Sequence, residues 1–251
     1  MKSITSVHNQ EIKSVAALKS AKERRAHGRF IAEGVRVVST FVQAGWTPLT
    51  VYTTQGLLDQ VEKIVPISCI TLVSDAVMNK MSQAATPSQV LAVFGIPAQP
   101  ALSQIHSGLV LANVSDPGNV GTLIRTCAAM NVQSVLVIDG VDIWHPKVVQ
   151  ASAGALAYVT IKHCSWQELS AHKGDRKLYA LTVSGGVSPE AVNADQVLLV
   201  VGNEAHGIPD HAVALCDGSI TIPMPGNTES LNAAVAGSIA LYQVFGQLRK
   251  S

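Results

Sequence analysis

Gly108-Leu109-Val110-Leu111-Ala112 leads into Asn113-Val114-Ser115-Asp116-Pro117-Gly118-Asn119-Val120-Gly121, and the chain then runs through Arg125 to Met130. The first five residues form an unbroken apolar run, the pattern of a strand covered on both faces. The next stretch is dense in loop-forming residues, and residues 121–130 return to a helical period. A buried strand passing through such a loop into a helix is the unit of an α/β domain with a parallel sheet.

The same grammar recurs downstream. Residues 134–138, 159–161, 178–183, 197–202 and 219–222 read as strands, residues 145–151 as a helix, and residues 230–248 as a last helix. Two further strand ends carry polar groups beside glycines. One is Val201-Gly202-Asn203-Glu204-Ala205-His206-Gly207. The other is Ile222-Pro223-Met224-Pro225-Gly226, running on to Ser230-Leu231-Asn232. Polar groups gathered at several strand-to-helix junctions are what a ligand site in this fold class requires.

Upstream, Gly95-Ile96-Pro97-Ala98-Gln99-Pro100 clusters the residues that interrupt regular structure. It divides the chain into a domain of residues 1–97 and one of residues 104–251. The first part reads as helix at 11–26, strand at 30–34, helix at 35–44, strand at 49–53, helix at 74–81 and strand at 89–95. That is a small α/β/α sandwich.

Composition narrows the class. Of 251 residues, 47% are hydrophobic and 14% charged, enough to fill a core, while aromatics make up 4%. The start of the chain carries no apolar stretch of a secretory signal, and no run reaches the roughly 18 apolar residues of a membrane span. Cys69, Cys127, Cys164 and Cys216 are scattered without metal-ligand spacing. They read as reduced thiols of a cytoplasmic protein with no metal site. The net charge is +1, yet Lys13, Lys19, Lys22, Arg24, Arg25, Arg29 and Arg36 gather near the N-terminus. Glu11, Glu23 and Glu33 dilute them, so a solvated helix face and a nucleic-acid surface both fit. The glycine patterns of dinucleotide and P-loop sites are absent.

The three junction segments, in order and with the expected spacing, resemble the SpoU (TrmH-like) family of RNA ribose 2′-O-methyltransferases within the SPOUT class. Arg29-Phe30 with Glu33-Gly34 resembles the substrate-binding domain often fused to it, similar in fold to ribosomal protein L30e. The resemblance implies a C-terminal parallel-sheet SPOUT domain with a trefoil knot. It implies S-adenosylmethionine as methyl donor and a homodimer paired through the C-terminal domain. A structured RNA is the implied substrate, ribosomal RNA ahead of transfer RNA, and a non-catalytic RNA-binding protein of the same fold is the alternative.

Carried onto this chain, the resemblance makes Arg125 the central catalytic residue. A guanidinium has no acceptor and a pKa above about 12, so a grip on the phosphate beside the target ribose competes with a role as base. Asn119 caps its helix or holds Arg125 and RNA. Glu204 organises the site, pairing with Arg125 or with substrate. Ser230 and Asn232 position the 2′-hydroxyl or cap the last helix. Gly202, Ile222 and Leu231 line the cofactor pocket, with Met224 beside them and Leu181 and Thr182 at the same rim. Lys22, Arg24, Arg25 and Arg29 are the candidate RNA contacts. His145 to Ala155 also resembles a family segment, but Gln150 stands where many members carry arginine, which puts one RNA contact in doubt.

Overall fold

A computed structural model describes residues 1–84, 86–226 and 228–246. The chain forms two compact units that interleave in sequence. Unit 1 holds Met1–Ala98 and Asp142–Ala157, and unit 2 holds Gln99–Val141 and Tyr158–Ser251. A single cut near residue 98 therefore misses that sixteen residues from the middle of the second half belong with the first.

In unit 1 the strands β1 (Lys2–Ile4), β2 (Arg29–Glu33), β3 (Thr50–Thr53), β4 (Ile70–Val73) and β5 (Val90–Gly95) form a mixed sheet ordered β1-β4-β3-β5-β2. The helices are α1 (Gln10–Ala17), α2 (Ala21–His27), α3 (Val35–Gln43), α4 (Leu58–Val61) and α5 (Asp75–Met81). Ile12, Val15, Val77, Met78 and Met81 pack on Ile31, Tyr52 and Leu91 of the sheet. Strands β1 and β4 are absent from the sequence reading.

The single helix expected over residues 11–26 is two helices. Ser20 is extended, with φ −84° and ψ 134°, and the Arg24 guanidinium donates to the carbonyls of Leu18 and Lys19 at 2.8 Å each. These are carbonyls that a continuous helix would bond internally. The same guanidinium grips the Asp142 carboxylate at 2.6 and 3.0 Å. Arg24 is 1% exposed, so it is not the RNA contact expected from the sequence. It is a buried tie between the start of unit 1 and the inserted segment.

That segment carries α7 (Pro146–Ala151), which packs on β2. Trp144 lies 4.7 Å, centroid to centroid, from Phe30, which also neighbours Phe41, Trp46 and Phe94. The Trp46 indole donates to the Ala157 carbonyl at 3.1 Å. Gly154 has φ +86°, and a Cβ there would stand 2.6 Å from Thr40 Cβ, so this position requires glycine twice over. Five of the chain's eleven Phe, Trp and Tyr residues thus meet where the insert packs on residues 1–98, each ring pair contributing about 0.5–1.5 kcal/mol beyond its burial.

Unit 2 is a parallel sheet of β6 (Gly108–Ala112), β7 (Ser134–Ile138), β8 (Thr160–His163), β9 (Lys177–Leu181), β10 (Val197–Val201) and β11 (Gly218–Ile220), ordered β11-β9-β10-β6-β7-β8. Its helices are α6 (Pro117–Ala129), α8 (Trp166–His172), α9 (Asp210–Val213) and α10 (Ala233–Phe245). Helix α6 starts four residues earlier than the apolar period indicates, because Asp116 accepts from Asn119 N at 2.8 Å and Pro117 takes the first helical position. Helix α8 was not read from the sequence, although Ser165 and Glu168 form a capping box that marks its start. Asn232 caps α10, so that helix begins at residue 233 rather than 230, and its expected end at 248 lies outside the described residues. Gly237 lets α10 settle on α6 and β10, since a Cβ there would stand 2.5 Å from Leu123 and 3.1 Å from Val201. Cys127 is buried, the other three cysteines are half-buried, and all four are free thiols. Among the described residues no helix is long and apolar enough to cross a membrane.

Asp142→Ala would leave the Arg24 guanidinium buried without its anion. The expected cost is about 3 kcal/mol, read as a lower denaturant midpoint, whereas Arg25→Ala on the exposed side of α2 should change stability by no more than about 0.5 kcal/mol.

Candidate active site

The three junction segments converge on one carboxylate. Glu204 sits in the turn after β10. Its oxygens accept from Ser115 Oγ at 3.0 Å, Ser115 N at 3.2 Å, Asp116 N at 3.1 Å and Asn119 Nδ2 at 2.9 Å. Asn119 Oδ1 in turn accepts from Asn232 Nδ2 at 3.1 Å. Asn232 Oδ1 takes the Ala234 and Val235 amides at the start of α10, at 2.9 and 3.2 Å. Asn232 is the cap of α10, whereas α6 is capped by Asp116, and the Asn119 side chain bonds Glu204 and Asn232 in place of the helix end or Arg125.

Burial acts to raise the Glu204 pKa, but the bonds from Asn119 and from the Asp116 and Ser115 backbone outweigh it and hold the carboxyl at about 2. The N-terminal end of α6 adds to this preference for negative charge. A carboxylate this acidic and this saturated with donors is a poor base. Its work is to fix the loop after β6 and the amide of Asn119.

Among the described residues Glu204 makes no ion pair with Arg125, one of the two roles expected for it. Arg125 lies on the exposed stripe of α6 with Gly118 and Thr122. No hydrogen bond or ion pair holds its guanidinium among the described residues. The group stands free for a ligand.

Beside this network lies a cavity of about 380 Å³. Gly202, Ile222, Met224, Leu231, Leu181 and Thr182, the six residues expected at a cofactor, all line it, together with Glu204, His206 and Ser230. The Ile222 and Met224 amides make no hydrogen bond among the described residues, so both are available to a ligand. The cavity thus offers aliphatic walls and unspent backbone donors, which suits a flat heteroaromatic ring carrying a polar tail. Gly202 has a second task besides lining the cavity: a Cβ there would stand 2.4 Å from the Gly207 carbonyl carbon, so its bareness also lets the 203–207 turn close.

Sequence reading did not single out Ser115 and Asn203. Asn203 Nδ2 donates to the Asn113 carbonyl at 3.0 Å, and its Oδ1 accepts the Ala205 and His206 amides at 2.9 and 3.1 Å. It ties the two loops that meet at Glu204. The available signal was Asn113, a turn former directly after a buried strand, which adopts φ +56°.

Residues 107–242 match the model of the SpoU rRNA Methylase family. The chain belongs to that family. Residues 9–92 match the MRM3-like substrate binding domain. The chain is 28% identical over 252 residues to the 23S rRNA (guanosine(2553)-2′-O)-methyltransferase RlmP of Bacillus subtilis, covering 98% of this chain and 100% of that one. The structure of an AdoMet-bound rRNA methyltransferase from Sinorhizobium meliloti superposes with a TM-score of 0.86 at 25% identity, covering 98% of both chains. An RNA 2′-O ribose methyltransferase structure superposes with a TM-score of 0.78 at 28% identity, again over 98% of both. In this SpoU chain the matched family region includes the insert 142–157 that folds with unit 1.

Because the folded-state pKa of Glu204 is depressed, its contribution to stability is complete above the ordinary value of 4.5 and fades as pH falls toward about 2. Unfolding followed across that window should show a shallower acid loss in Glu204→Gln than in the parent chain. Equal slopes would show that the carboxylate is not held as described.

Proposed function

We propose that this chain transfers the methyl group of S-adenosylmethionine to a ribose 2′-hydroxyl of ribosomal RNA, acting as a homodimer. The observation that carries the reading is the junction of the 380 Å³ cavity with the Glu204–Asn119–Asn232 network in the family-matched domain. The aliphatic walls formed by Ile222, Leu231 and Leu181 would hold the cofactor, and the Ile222 and Met224 amides would meet its adenine edge. When bound, the cofactor supplies an electrophilic methyl group on a cationic sulfur.

The chain's own residues supply placement. Glu204 fixes Asn119, and Asn119 fixes the Asn232 amide at the head of α10. Ser230 lines the same cavity and offers a hydroxyl to the ribose. A guanidinium offers donors and no acceptor, so we assign Arg125 the phosphate next to the target ribose rather than the proton of the 2′-hydroxyl. Holding the attacking oxygen in line is worth several kcal/mol in such displacements. Lys22, Arg25 and Arg29 are exposed on unit 1 and are the proposed phosphate contacts there; the buried Arg24 is not among them.

The outer face of α10 supports the dimer. Val235 and Tyr242 are 48% and 63% exposed, and Thr122 of α6 lines the same groove with Ser238 and Gln243. Gln243 Oε1 is buried there without a hydrogen-bond partner among the described residues. A second copy seated on this groove would cover the apolar side chains, supply a donor to Gln243 and stand beside the exposed stripe that carries Arg125.

Labelled methyl from S-adenosylmethionine should appear in a ribose 2′-O-methyl nucleotide of ribosomal RNA that lacks this modification. Arg125→Ala should lower the rate at least 100-fold, an effect of about 2.7 kcal/mol or more, with cofactor affinity within about twofold of the parent. Cofactor binding without transfer to any RNA would favour a non-catalytic RNA-binding role. Tyr242→Asp should shift the mass seen by light scattering from dimer to monomer.

A further inference from the structure

We infer that a groove in unit 1 holds an unpaired nucleotide of the RNA substrate. The inference rests on the reading that unit 1 binds RNA, and it specifies where and in what form. The groove, of about 720 Å³, runs between α1 and the ends of the strands. That lies within the range of sites for compact organic ligands.

Its chemistry is that of a base pocket with a cationic edge. Tyr52 lines it and is 2% exposed. The Tyr52 hydroxyl donates to Glu11 at 2.8 Å, and the other Glu11 oxygen is ion-paired to Lys2. The one carboxylate in the lining is thereby balanced where it stands and does not oppose an incoming phosphate. Leu49 and Ile67 also line the groove and are 52% and 55% exposed. These aliphatic side chains have no cover in unit 1 and suit the face of a base.

Arg29 supplies the complementary charge. It lines the groove and is exposed, and its guanidinium has no hydrogen bond or ion pair among the described residues. Its cross-strand partner is Gly95, and nothing lies within 4 Å of where a Gly95 Cβ would be. The guanidinium therefore has room to lie over a base or to turn to its phosphate. His27 lines the same groove, and Lys22 and Arg25 are exposed on α2, which leads directly to Arg29. An exposed aliphatic pair beside a free arginine favours single-stranded over duplex RNA, because only a splayed base can enter such a groove. A polypeptide partner would leave Arg29 without an evident anion.

The test uses the full chain with three probes: a labelled uridine heptamer, a labelled adenosine heptamer and an RNA duplex of the same length. The parent should bind at least one heptamer about tenfold tighter than the duplex, and ultraviolet cross-linking should mark the peptides around Leu49–Tyr52 or Ile67–Thr71. Ile67→Ser should weaken heptamer binding about fivefold without changing its salt dependence. Arg29→Ala should weaken it and lower the slope of log K against log salt by about 0.7, the single-strand value for one phosphate contact. Both replaced side chains are exposed, so thermal unfolding should stay at the parent value. Heptamer affinity unchanged in both variants, cross-links confined to other peptides, or equal affinity for duplex would overturn the proposal. Failure of the methyltransferase reading is visible separately, as absent label transfer by the parent chain while the variants still lose heptamer binding.

Discussion

The Glu204 carboxylate is the constraint on which the site depends. Its four donors come from the loop after β6 and the first turn of α6, about 85 to 89 residues away in sequence. Through Asn119 it reaches Asn232, which lies 113 residues from Asn119 in sequence. Each of these donors alone would be an ordinary loop or cap group facing water. Collected on one anion they hold three chain segments in register, and they do so beside a cavity whose walls come from the second and third of those segments and from Leu181, Thr182 and Val183. A carboxylate held near a pKa of 2 stays charged throughout the range in which RNA is stable, so this collection does not relax under working conditions.

Arg125 shows the complementary principle. Where Glu204 is saturated, Arg125 is free, and the two charges do not neutralise each other among the described residues. A cation paired to an internal carboxylate would have to break that pair to meet an anionic ligand, at a cost in affinity. Here the anion is tied to neutral donors, so the cation keeps its full attraction for an anionic ligand.

Unit 2 was largely legible in the sequence, and the reason is physical. Buried parallel strands such as 108–112 and 197–201 are unbroken apolar runs, and the loops at their ends hold the polar chemistry, so fold and site were written in the same residues. All six residues expected at a cofactor came from strand ends of this sheet, and the structure brings all six to one cavity. What failed was local competition by distant groups. The break between α1 and α2 depends on a guanidinium satisfying two carbonyls and a carboxylate from residue 142, and no window of a dozen residues contains that information. Arg24 and Arg25 look alike in sequence; one is buried and the other exposed. Ser115 and Asn203 were overlooked for a related reason, since small polar residues in loops acquire roles only from what stands opposite them.

The insert 142–157 bears on inheritance as well as on packing. Residues 1–98 without it would present Phe30 and Trp46 lacking their Trp144 and Ala157 contacts, and Arg24 lacking its anion. The catalytic sheet, for its part, lends out the chain between β7 and β8. Neither half is a self-sufficient cassette. Recombination that exchanges the N-terminal portion among relatives would have to bring matching changes in the donated segment, so the region that matches the substrate binding domain and the region that matches the SpoU family are tied to each other's sequence.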